Sequence, residues 1–75
     1  MNVDDEISAA LHEKGIKPLI GGLIPEPTTA ELLGYSVSHW RAQAAKGLSP
    51  LPYVLRGNRR FYRITDIKRF VTETQ

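Results

Sequence analysis

The chain contains no cysteine. That excludes disulfides and thiolate metal sites, and it fits a reducing compartment. Two histidines remain, His12 and His39, at no ligand spacing from one another, so no metal centre is expected. No apolar run approaches the ~20 residues that a membrane span requires. Asp4, Asp5 and Glu6 stand where a secretory leader would carry basic and then apolar residues. A cytoplasmic location without membrane contact is the expectation. Internal repeats and low-complexity stretches are also missing. So are enzyme signatures: there is no P-loop, no GxGxxG fingerprint and no nucleophile elbow. Ser38 and His39 are neighbours, but adjacent residues on a helix point apart and do not pair as nucleophile and base. No catalysis and no cofactor are expected.

What is present is one small domain of 75 residues. A chain of this size buries only about 60% of its unfolded surface, which leaves little room for a catalytic cleft. The formal net charge of +2 conceals an uneven distribution. Residues 1–34 hold Lys14 and Lys17 against Asp4, Asp5, Glu6, Glu13, Glu26 and Glu31. Residues 35–75 hold Arg41, Lys46, Arg56, Arg59, Arg60, Arg63, Lys68 and Arg69 against Asp66 and Glu73. An acidic front and a basic back point to a polyanionic partner for the back half.

The stretch from Thr28 to Gly47 reads as two short helices joined by a tight turn. Thr28 and Glu31 have capping-box spacing, and Gly34 is suited to end the first helix. Ser36 caps the second helix, expected over Val37 to Lys46 and ended by Gly47. Val37, Trp40 and Ala44 share one face, so Trp40 reads as core. Ser38, Arg41, Ala42 and Ala45 share the other face. An exposed second helix with small residues and an arginine suits a DNA major groove.

The flanks complete the order helix, linker, helix-turn-helix, β-hairpin, helix. Asn2 caps a first helix with Val3, Ile7, Ala10 and Leu11 as its apolar stripe and Gly15 as its stop. Lys17 to Pro27 reads as a linker whose apolar pairs, Leu19-Ile20 and Leu23-Ile24, dock on the domain. A sharper alternative makes residues 1–24 a self-association arm. Tyr53 to Arg56 and Arg59 to Ile64 read as strands around a Gly57-Asn58 turn. Alternation puts Arg59, Phe61 and Arg63 on one face and Arg60, Tyr62 and Ile64 on the other. Arg56, Arg59 and Arg60 bunch at the turn, where like charges repel unless an anion offsets them; beside a helix-turn-helix, such a hairpin is suited to phosphates or a narrow minor groove. Thr65 is expected to cap a last helix with Ile67, Phe70 and Val71 as its core stripe.

These residues resemble the winged helix-turn-helix domains of the MerR superfamily, nearest to small phage excisionases and AlpA-like regulators. Leu23-Ile24 through Gly34 is similar to the family's opening helix, carried here in shortened form by TTAELLG, Thr28 to Gly34. SVSHWRAQAAKGLSP, Ser36 to Pro50, is similar in the spacing of its glycines and the Leu-Pro segment. GNRRFYRITDIKRFV, Gly57 to Val71, resembles the wing and the helix after it. The resemblance implies a mainly α fold with a small β-hairpin: a winged helix-turn-helix domain over residues 23–75, with residues 1–22 an accessory helix and linker. It implies duplex-DNA binding, with Ser36, Ser38, His39 and Arg41 at the groove-facing start of the second helix. Arg56, Asn58, Arg59 and Arg60 become wing contacts, with Tyr62 a phosphate partner. Gln43 replaces an aromatic usual in such domains, Trp40 stands where a Leu is usual, and Ala42 and Ala45 replace long basic residues. The implied role is DNA-bending excision beside a recombinase (integrase). Transcription regulation and a terminase small subunit are the alternatives within DNA binding, and a protein-interaction module is the alternative outside it.

Overall fold

The computed structural model describes residues 2–73. Four helices and one three-stranded antiparallel sheet follow the chain as α1 (Val3–Lys14), β1 (Leu23–Pro25), α2 (Glu26–Leu32), α3 (Val37–Ala45), β2 (Val54–Arg56), β3 (Arg59–Arg63) and α4 (Ile64–Glu73). The sheet order is β1-β3-β2, so β3 is the central strand.

Helix α1 begins as its sequence dictates. The Asn2 side chain accepts from the Asp5 N–H at 2.9 Å, and Asp4, Asp5 and Glu6 sit in the first turn, where the helix dipole favours negative charge. Ile7 and Leu11 are buried, and Ile16 folds back after Gly15, its N–H bonding the Leu11 carbonyl at 2.9 Å. These side chains join a single cluster with Ile24, Ala30, Trp40, Leu51, Tyr62 and Ile67. That cluster draws on residues from both sides of the expected division at residues 22 and 23. Two ion pairs bind α1 to its surroundings: Lys68–Asp4 at 2.7 Å and Lys14–Glu31 at 3.6 Å. Both are exposed and contribute little beside the apolar burial.

The expected linker is the largest departure. Leu23–Pro25 is a strand, paired with β3 in the register Leu23↔Arg63, Ile24↔Tyr62 and Pro25↔Phe61. The chain reverses at Gly21-Gly22, and Leu19 bridges to Leu23. A hairpin this short has marginal stability alone; pairing with β3 and burial of Leu23 and Ile24 supply what it lacks.

Helix α2 also starts earlier than Thr28. Pro25 precedes it, Glu26 is its first residue and Pro27 follows within the first turn, where a missing N–H leaves no bond unmade. Thr28 and Glu31 consequently lie inside the helix and form no capping box. Thr28 is buried, and the Thr29 hydroxyl donates instead to the Pro25 carbonyl at 3.0 Å. Gly34, at φ 83, takes the left-handed conformation that turns the chain towards α3. The Ser36 Oγ accepts from the His39 N–H at 3.1 Å and caps α3. Trp40 and Ala44 are buried and Val37 half-buried, while Ser38, Arg41, Ala42 and Ala45 face outward.

Strands β2 and β3 close through Gly57-Asn58, with Arg56↔Arg59 the last pair. Gly57 has φ 65 and no non-glycine residue described has positive φ, the sign pattern of a type II′ loop. Alternation sorts the faces of β3 but not their exposure, because Phe61 and Tyr62 are both buried. Helix α4 follows β3 directly. Thr65 therefore lies within its first turn and does not precede it as a cap. Ile67 is buried and Phe70 packs against the cluster.

Candidate nucleic-acid interface

Arg41 on the exposed face of α3 and Asn58, Arg59 and Arg60 of the hairpin line one groove with a volume of about 480 Å³. Pro25, Glu26, Pro27 and Phe61 form the rest of its wall. The end of β1 and the start of α2 thus stand between the second helix and the hairpin. Residues far apart in the chain meet here because β3 carries the hairpin alongside β1, and β1 runs straight into α2.

At the wall of the groove lies a buried acid. Glu26 is 5% exposed, and its Oε2 accepts from the Tyr62 hydroxyl at 2.6 Å. Its Oε1 faces the Arg60 Nη1 at 3.4 Å. The Arg60 guanidinium also lies over the Tyr53 ring, 5.4 Å from its centroid, while its buried Nε has no hydrogen-bond partner among the described residues. Tyr62 meets Trp40 edge-on at 5.6 Å and Tyr53 at 6.1 Å. One contiguous set of side chains therefore joins α2, α3, β3 and Tyr53, the residue just before β2. Burial pushes the Tyr62 phenol above its ordinary pKa, and the hydrogen bond to Glu26 pushes in the same direction by favouring the protonated form.

The expected contacts divide accordingly. Arg41, Asn58 and Arg59 are exposed at the groove, and no ion pair holds either arginine among the described residues. Arg56 is exposed on the neighbouring edge, where its Nη1 donates to the Leu55 carbonyl at 3.1 Å. Ser38 and His39 are exposed at the start of α3, and the Ser36 hydroxyl is occupied as the cap. Tyr62 must be withdrawn as a phosphate partner: it is fully buried and its hydroxyl is committed to Glu26. Arg60 is half-buried and held by Glu26 and Tyr53, which separates it from Arg56 and Arg59 at the tip, neither of which is in an ion pair among the described residues.

Glu26 is the residue that sequence reasoning passed over. Pro-Glu-Pro before Thr-Thr marks a helix entry, but its partner Tyr62 is 36 positions away. Among the described residues, no three His, Asp or Glu side chains gather in a way that holds a metal ion, and no helix is long and apolar enough to cross a membrane. Comparison with protein-family models, curated proteins and solved structures found no match to this chain.

Proposed function

We propose that the chain binds duplex DNA as a small winged helix-turn-helix protein, with α3 entering the major groove and the β2–β3 hairpin lying along the adjacent backbone. The observation that carries this reading is the groove where Arg41 of α3 meets Asn58 and Arg59 of the hairpin, with both arginines free of any ion pair among the described residues. Unpaired guanidinium groups gain from phosphates, whose charge is dense and whose oxygens accept from their planar forks. The exposed face of α3 is narrow, since Ser38, Ala42 and Ala45 surround Arg41. That permits close approach to base edges but supplies little charge, so the hairpin provides much of the grip. The resemblance to phage excisionases makes DNA bending beside a recombinase the role within this reading.

Fluorescence anisotropy with a labelled duplex tests it across a salt series. Affinity should fall with salt at about 0.9 log unit per log unit for each phosphate contacted. Arg59→Ala should make that slope shallower by about 0.9. Salt-independent binding, or none to any duplex, would sink the proposal.

A further inference from the structure

Glu26 lies beside arginines that a DNA-binding groove should offer to phosphate. A buried carboxylate there is costly unless it is paired, and this one is paired twice, through Tyr62 at 2.6 Å and Arg60 at 3.4 Å. The second pairing has a consequence for the surface. Arg60 belongs to the hairpin whose tip carries Arg56 and Arg59, yet it is turned back onto Glu26 and the Tyr53 ring. Arg41, Arg56 and Arg59 have no such anchor among the described residues.

Resting on the DNA-binding reading, we infer that Glu26 withholds Arg60 from the polyanion and uses it to set the hairpin against α3. Glu26 and Arg60 are then positioning residues. Tyr62, held by the same carboxylate, carries the constraint to α3 through Trp40. An interface built this way trades one phosphate contact for a fixed distance between the helix that reads bases and the hairpin that grips the backbone. Fixed spacing sets the register and orientation in which α3 meets the base edges, where sequence is read.

Two variants test this against a merely structural role. Glu26→Gln is close in shape and keeps an oxygen for the Tyr62 hydroxyl but removes the charge that holds Arg60. Released, Arg60 should join the phosphate contacts. The salt slope on duplex DNA should steepen by about 0.9, equivalent to an additional ~3.5-fold loss of affinity between 50 and 200 mM salt. Discrimination between a selected site and a scrambled duplex should narrow at the same time. Adding Arg60→Gln to that variant should return the slope to the wild-type value. Arg60→Gln alone should leave the wild-type slope unchanged, and it keeps the inference testable should Glu26→Gln fail to fold. A slope that stays constant or becomes shallower in folded Glu26→Gln would overturn the inference, as would a shallower slope in Arg60→Gln alone. Failure of the DNA reading itself would appear in the wild-type protein, as the absence of salt-dependent duplex binding, and would remove the inference with it.

Discussion

The two outer strands of the sheet flank the same partner with ladders of equal length, yet they live in opposite surroundings. Leu23–Pro25 on one side of β3 buries Leu23 at 4% exposure and Ile24 at 0%. Val54–Arg56 on the other side leaves Leu55 57% exposed and Arg56 exposed beside it. Backbone pairing is the same in kind, so what separates the strands is the side chains they present. The β1 side holds the domain together. The β2 side leaves its surface open to solvent, and its stability rests on β3.

Mutations should expose this asymmetry. Ile24→Ala empties a fully buried position facing Tyr62 and should destabilise the fold by about 2–5 kcal/mol in urea or thermal unfolding. A loss below ~1 kcal/mol would show that the β1 side is no more essential than the other.

Tyr62→Phe addresses the central strand, where both sides meet. It removes one partner of the Glu26 carboxylate and should cost about 1–3 kcal/mol at neutral pH. The folded Tyr62 phenol titrates above its ordinary value of 10.0, so its contribution is complete below that pH and is lost as pH rises through the folded-state value. Alkaline unfolding followed by circular dichroism should accordingly be less steep in the Phe variant. An unchanged profile would mean that the phenol is not what limits stability in base.

Leu55→Ala should be the smallest effect, within about 0.5 kcal/mol of wild type, because that side chain is largely in water. A loss comparable with that of Ile24→Ala would erase the contrast between the strands.

Much of this fold is legible in the sequence where a local rule decides the outcome. Asn2 and Ser36 act as caps and Gly57-Asn58 turns the hairpin through interactions spanning at most a few residues, and helical spacing puts Trp40 on the buried face of α3. The errors have a common cause. Leu23–Pro25 was expected as part of a linker because three residues do not announce a strand; its partner is β3, some 40 positions away. Glu26 likewise gains its meaning from Tyr62 and Arg60. At Thr28 and Thr65, short-range capping patterns yielded to neighbours: Pro25 and Pro27 start α2 early, and β3 passes into α4 without a break. In the candidate site, Arg41, Asn58 and Arg59 were legible as exposed polar residues at a turn and on a helix face. Arg60 was assigned by proximity to that turn and Tyr62 by the resemblance, and neither carries information about which way the side chain is drawn.

The punctuation of the sheet bears on how the protein behaves when concentrated. Unpaired strand edges are templates for aggregation, and a sheet of this kind has one on each flank. Here the flank beyond β1 is partly taken by the bridge from Leu19, and Pro25 offers no N–H to a newcomer. Beyond β2, the free edge is only three residues long, with Pro52 just before it and the charge of Arg56 at its end. Both flanks thus carry features that discourage a fourth strand, which lowers the hazard of sheets fusing when copies are crowded.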